Sequence, residues 1–318
     1  MASLPKMTVV ELKKIAKEKK IPKYSTMKKQ QLLNALRSPG SLISLSQKRS
    51  VCQTVFRNPG YNIGEQGLMI LTILYYFSKN KNATSPLLHQ NNTVSLWDIT
   101  WDARNELLLT PFDVAISLKK CLKDDARFII IPLVLEAHVE RNKNPHALHQ
   151  NMIIFDKQTK KLERFDPWGY TADYFKPQKL NQKLLFLLNK YLKANSLVVA
   201  ESFCPLRGPQ TWEGRGSVRR GDPGGFCVIW SLWWLSLRLK YPNVERKVLM
   251  EKAKLKAEGR DATFFRRFIR NYSDFIARMV YKKIPACLQV HGISRYHVPE
   301  CRKQFLDVID NYKKTGKF

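Results

Sequence analysis

His149–Asp166, HQNMIIFDKQTKKLERFD, decides how this chain is read. An apolar run ends at Asp156, a polar stretch Lys157–Lys160 follows, and Lys161–Asp166 alternates again. That pattern predicts two antiparallel strands joined by a tight turn. With the turn centred between Gln158 and Thr159, facing positions sum to 317. His149 then faces Trp168. Asp166 becomes its diagonal neighbour on the same face, about 7–8 Å away by Cα. A carboxylate placed there orients and stabilises an imidazole.

Upstream, Arg127–His138 (RFIIIPLVLEAH) is near-continuously apolar and β-branched, which predicts a central strand. Glu65–Lys79 reads as a buried helix, Asn80–Asn92 as a loop, Pro111–Leu122 as an amphipathic helix and Arg141–Pro145 as a loop. Downstream, Val198–Ser202 reads as a fourth strand. Phe226–Leu239 reads as a Trp-rich helix, and Thr263–Tyr281 and Pro299–Lys313 as later helices. There is no internal repeat.

Cys227 begins the Trp-rich helix, directly after Gly221-Asp222-Pro223-Gly224-Gly225. A helix N-terminus stabilises a thiolate, and the glycines let a substrate backbone approach closely. His149, Asp166 and Cys227 together point to nucleophilic thiol chemistry. Other pairings are weaker. His146 and Glu163 have the same separation without the strand-turn context, and Cys204 has no helix behind it. Asp156 shapes the turn. Trp230, Trp233 and Trp234 are expected in the core.

The chain has 318 residues, 44% hydrophobic and 25% charged, which excludes global disorder. Its net charge of +29 implies a polyanionic partner, nucleic acid first, or an anionic membrane surface. The N-terminus lacks an apolar signal core. The apolar runs Gly67–Phe77 and Phe226–Leu237 are shorter than the about 20 residues a membrane span needs. Six scattered cysteines and six histidines form no metal-ligand pattern, so no cofactor or metal is expected and reduced thiols are the default.

Residues 1–40 carry ten Lys or Arg against two Glu. Thr8 and Glu11 read as a capping box opening a helix that buries Val9, Leu12, Ile15 and Ala16. Ile21-Pro22-Lys23 breaks it, and a second helix runs to about Leu36 before Pro39-Gly40. The segment MTVVELKKIAKEKKIPKYSTMKKQQLLNAL resembles Rho-N/SAP-type helix-extended-helix modules. That resemblance implies nucleic-acid binding, with Lys23, Lys28 and Lys29 as the contacts. The organisation expected is therefore residues 1–40 as this module, 41–64 as a linker and 65–318 as the main domain, with its core at about 125–280.

The order His149, Asp166, Cys227, with RFDPWG at 164–169 and GGFCVIWSLWW at 224–234, resembles the ubiquitin-like-protease/adenain group of cysteine peptidases. The versions in nucleocytoplasmic large DNA viruses are the most similar, and RFIRNYSDFI at 267–276 shares their flavour. The resemblance implies an α+β papain-like fold, a central mixed sheet packed on helices. It implies Cys227 as nucleophile, His149 as base, Asp166 as its orienting partner and Gln210 in the oxyanion hole. It also implies processing of viral structural precursors, in the virion and in cytoplasmic factories, with the host nucleus open. Two positions depart from the pattern. Gln150 stands where the group has Trp, and Gly221 stands six residues before Cys227, so Gln210 must reach across Thr211–Arg220. Three other readings stay open: a ubiquitin or SUMO deconjugase, an acetyltransferase sharing the triad, and a basic packaging protein with an inactive peptidase fold.

Overall fold

The computed structural model describes residues 8–18, 25, 29, 32, 64–89, 99–111, 113–138, 146–198, 208–213, 226–289 and 299–318. The chain divides into two compact units, Met1–Val55 and Phe56–Phe318.

In the first unit, helix α1 (Val9–Glu18) opens with the expected box. The Thr8 amide donates to Glu11 Oε2 at 2.7 Å, and the Glu11 amide donates to Thr8 Oγ1 at 3.4 Å. Leu12 is fully buried, whereas Val9, expected inside, is 37% exposed. Lys29 is exposed. Lys23, Lys28 and most of the second helix lie outside the described residues.

The second unit begins with α2 (Gly64–Lys79). The segment expected to be a loop holds a short strand, β1 (Ala83–Thr84), and a 3₁₀ turn, Pro86–His89. Strands β2 (Ile99–Asp102) and β3 (Leu107–Leu109) follow. Helix α3 (Val114–Lys123) leads into β4 (Phe128–His138). Strands β5 (His146–Asp156) and β6 (Lys161–Phe165) complete the hairpin. Then come α4 (Pro177–Leu192) and β7 (Ser196–Val198). The chain closes with α5 (Cys227–Lys240), α6 (Arg246–Ala257), α7 (Ala262–Tyr281) and α8 (Pro299–Thr315).

The sheet is mixed, in the order β3-β2-β4-β5-β6-β7, with β1 beside β4. The β4–β5 and β5–β6 pairs are antiparallel, and β1–β4, β2–β4 and β6–β7 are parallel. Met152 faces Phe165 and Phe155 faces Leu162, the register expected from the turn. Pro132, which has no ladder N–H, falls between the stretch of β4 bonded to β1 and the stretch bonded to β2. That gap is why a central strand tolerates it.

Helices cover both faces, so β4 is apolar from Phe128 to Leu135, and only its end carries the exposed Glu136 and His138. On one face Ile131, Leu133, Leu135, Ile153 and Phe155 join Leu118 of α3 and Leu180, Leu184, Leu188 and Leu192 of α4. Those four leucines recur every fourth residue, and burying each contributes about 1.5–3 kcal/mol. Pro177 starts α4 and Lys193, at φ 52°, ends it. Across the sheet α5 packs on β5, with α2 and α7 behind it, and Trp234 stacks on Phe165 at 5.0 Å. No described helix is long and apolar enough to cross a membrane.

The cysteines correct one expectation. Cys287 and Cys301 are joined in a disulfide, with Cα atoms 4.7 Å apart. The first turn of α8 packs on the 3₁₀ turn Pro285–Gln289, which brings two thiols fourteen residues apart together. Cys121 and Cys227 are free, and Cys204 lies outside the described residues.

Candidate active site

Strand β5 presents His149 and Asn151 on the face of Ile153 and Phe155 by simple alternation. His149 Nε2 meets Asp166 Oδ1 at 2.7 Å, and both side chains are buried. The Asp166 carboxylate is fully engaged. Oδ1 also accepts the Trp168 amide at 2.9 Å, and Oδ2 accepts the Thr171 hydroxyl at 2.8 Å. The imidazole packs between Trp168, with centroids 5.5 Å apart, and Phe175, stacked at 6.1 Å.

The other side of His149 takes a hydrogen bond with the Cys227 thiol. Since Nε2 is engaged by Asp166, Nδ1 is the nitrogen left for sulfur. The N–H groups of Gln150 and Val228 also reach this sulfur. Val228 belongs to the first turn of α5, where amides lack intrahelical partners, and no side chain caps this end. Cys227 is partly exposed. One turn on, buried Ser231 donates its hydroxyl to the Gln150 carbonyl at 3.4 Å, which pins α5 to β5.

These contacts set the protonation states. Burial raises the Cys227 thiol pKa, but His149 outweighs it and holds the thiol below its ordinary 9.0. Burial opposes a charge on His149, yet Asp166 and the Cys227 sulfur push its pKa up to about 10. Asp166 is held below 3.8 because His149, Arg164 and Thr171 together exceed the burial that raises it. The arrangement favours thiolate and imidazolium side by side, an activated nucleophile with its proton carrier.

Gln210 lies in a 3₁₀ turn, Pro209–Glu213, docked on the segment after Asp166. The Gly208 amide donates to the Trp168 carbonyl at 2.6 Å, and the Gln210 amide donates to the Pro167 carbonyl at 2.9 Å. A Cβ on Gly208 would sit 2.4 Å from Gly169 N and from Pro167 O, so only glycine fits. Gly169 itself stands at φ 92°. Gln210 Oε1 is buried without a hydrogen-bond partner among the described residues.

The competing pair separates. His146 lies opposite His138, while Glu163 lies opposite Ile154, eight residues further along β5. Glu163 instead accepts the Trp234 indole at 2.7 Å and pairs with Arg238 at 3.2 Å. Asp156 accepts the Gln158 amide at 3.0 Å and pairs with Arg127 at 2.8 Å, so it does shape the turn. Trp230 and Trp234 are buried, and Trp233 is half-buried.

Sequence reasoning passed over Arg164, Thr171, the Gln150 N–H and Ser231. Thr171 follows Asp166 by five residues in an irregular segment, with no pattern to flag it. It also missed a cluster. His89, Cys121 and Asp124 have ligand-type atoms within 4.8 Å of one another. There Asp124 already takes His89 at 2.8 Å and Thr84 at 2.6 Å, and Lys157 donates to the carbonyls of Cys121 and Asp124. The cluster ties the end of α3 to the Pro86–His89 turn.

The family model of the Rho termination factor, N-terminal domain, matches residues 3–38. A protein of Acanthamoeba polyphaga mimivirus named for ankyrin repeats, L371, is 31% identical over 144 residues. The match covers 39% of this chain and 18% of that protein, so the chain spans less than a fifth of this relative's length. Among solved structures, the Chlamydia trachomatis effector Cdu1 bound to ubiquitin is 15% identical with a TM-score of 0.39, over 69% of this chain and 94% of the other. The effector ChlaDUB1 of the same organism is 12% identical with a TM-score of 0.37, over 85% and 94%.

Proposed function

We propose that the chain is a cysteine peptidase whose triad is Cys227, His149 and Asp166. The line of contacts from thiol to imidazole to carboxylate carries this reading. The Cys227 thiolate attacks the scissile carbonyl carbon. The carbonyl oxygen becomes an oxyanion held by the Cys227 N–H and the side-chain amide of Gln210. The His149 imidazolium protonates the departing amine, leaving a thioester on Cys227. His149, now neutral, deprotonates water, which attacks the thioester and releases the acid and the thiol. Asp166 holds the ring oriented through both steps.

The substrates are protein chains, and the finer reading is maturation of viral structural precursors, in particles and viral factories. The likeness of RFDPWG and GGFCVIWSLWW to the large-DNA-virus versions of the peptidase group supports that setting. The N-terminal unit supplies nucleic-acid binding through Lys23, Lys28 and Lys29, and its Rho-type match over residues 3–38 supports this part. Such an anchor would concentrate the peptidase on packaged genome.

The test pairs an activity-based thiol probe with substrate panels. Labelling of Cys227 with cleavage of virion precursors is the expected result. Cleavage of ubiquitin or SUMO conjugates alone would move the substrate to deconjugation. Acetyl transfer from acetyl-CoA would replace hydrolysis. Folded protein left unlabelled at Cys227 would overturn the peptidase reading.

A further inference from the structure

Arg164 is fully buried, and nothing in the proposed chemistry uses it. A buried guanidinium is costly unless its donors and its charge are met. Here Nη1 donates to Asn151 Oδ1 at 2.6 Å and to Thr171 Oγ1 at 2.7 Å, and Nε donates to Asn181 Oδ1 at 3.1 Å. Nη1 lies 3.6 Å from Asp166 Oδ2. The guanidinium therefore ties four elements together: β6 carries it, β5 supplies Asn151, α4 supplies Asn181, and the turn segment supplies Thr171. Thr171 also donates to Asp166 Oδ2, so cation, hydroxyl and carboxylate form one chain.

We infer that Arg164 is a positioning residue, which acts through Thr171 and by direct charge to keep Asp166 ionised and aimed at His149. The inference rests on the triad assignment above. The geometry favours it over a merely structural ion pair. Asp166 carries one negative charge and faces two cationic partners from opposite sides, His149 on Oδ1 and Arg164 on Oδ2. Without Arg164 the buried carboxylate would lose one of these two cationic partners and would take up a proton more readily. A protonated Asp166 no longer stabilises the imidazolium, and the thiolate loses its partner. Among the described residues, Cys227 across His149 and Tyr174 also face this centre, the Tyr174 hydroxyl being pushed up by burial, by Tyr170 and by Asp166. Neither supplies a positive charge.

The readout is the pH dependence of Cys227 alkylation by iodoacetamide in the full chain, which needs no substrate. Cys121 is fully buried, and peptide mapping separates Cys227 from the other cysteines of the chain. In the wild type the acidic limb should lie below that of an ordinary thiol. Arg164→Gln should move this limb up by about one pH unit, a tenfold loss of thiolate at a given acidic pH. Arg164→Lys keeps the charge and should restore most of the shift. Thr171→Val is nearly isosteric and should move the limb the same way by about half a unit. Circular dichroism confirms folding of each variant. If Arg164→Gln does not fold, Thr171→Val decides. A wild-type limb at the position of a free thiol would sink the triad itself. A depressed wild-type limb left unmoved by the folded variants would overturn the role of Arg164 and leave the triad standing.

Discussion

Asp166 Oδ1 accepts from His149 Nε2 at 2.7 Å and from the Trp168 amide at 2.9 Å, so the imidazole partner is fixed by backbone as well as by charge. The amide comes from the turn Asp166–Gly169, closed by the Gly169 N–H on the Asp166 carbonyl at 3.0 Å. A carboxylate locked this way cannot swing off the ring. Asp166→Asn keeps the turn and the hydroxyl contact but loses the charge, so it weakens the imidazolium without removing the proton carrier. On the proposed triad, His149→Ala removes the base, the acid and the thiolate partner together. We therefore expect the loss in kcat/KM to be greater for His149→Ala, at about 10⁴-fold, than for Asp166→Asn, at about 10²-fold. Steady-state kinetics on the folded variants decide, and equal residual rates would contradict this division of labour.

On the proposed triad, Cys227→Ala removes the sulfur that forms the thioester. Loss of turnover by about 10⁴-fold or more is expected, with thermal unfolding shifted little, because a partly exposed thiol fills little core. Turnover at the wild-type rate would place the nucleophile elsewhere.

How far was this legible in the chain? The β5–β6 register followed from one turn. Four polar residues separate two apolar stretches, and the pairing Met152–Phe165 obeys that midpoint. Cys227 was legible because glycines precede it and an apolar helix follows. Arg164 was not, since in KKLERF it looks like one more solvated charge, and only the third dimension buries it. Helix α4 carries a clear four-residue leucine stripe, which was legible in the sequence as a buried helical face. Strands β2 and β3 are four and three residues long, too short for periodicity to declare itself. The Cys287–Cys301 bridge had no sequence signal, because scattered cysteines reveal no pairing.

The same ionisations fix how stability depends on pH. Asp166 has a depressed pKa, so its contribution is present above 3.8 and is lost as pH falls through the lower folded value. His149 has a raised pKa, so its contribution is fully present below 6.5 and is lost as pH rises towards about 10. Urea unfolding across pH should show a plateau between these limits, falling on both sides. In His149→Ala the alkaline fall should shrink. An alkaline limb identical to wild type would show that the imidazolium is not what is lost there.

Glu163 tests the rival pairing. Its carboxylate is buried under Trp234 and Arg238, so Glu163→Ala leaves a cation and an indole N–H without their acceptor. Breaking a buried pair costs about 3 kcal/mol. A lowered urea midpoint is expected, with kcat of the folded fraction unchanged. A stable variant with abolished kcat would return the His146–Glu163 pairing to consideration.

Deleting residues 1–40 tests the N-terminal unit. The segment has its own capping box at Thr8 and Glu11 and a fully buried Leu12, so it carries local structure of its own. It holds ten basic and two acidic residues of a chain whose net charge is +29, so most of the charge remains after truncation. Each phosphate neutralised by Lys or Arg releases counterions, and the slope of log affinity against log salt reports how many phosphates are neutralised. The truncated chain should bind nucleic acid more weakly and with a shallower slope, by about one unit for each lysine that no longer meets a phosphate. Cleavage of a short peptide should be spared, because every triad residue lies beyond position 148. Titrations at several salt concentrations measure the slope directly. A slope unchanged by truncation would mean that the lysines of this unit form a solvated face and touch no phosphate.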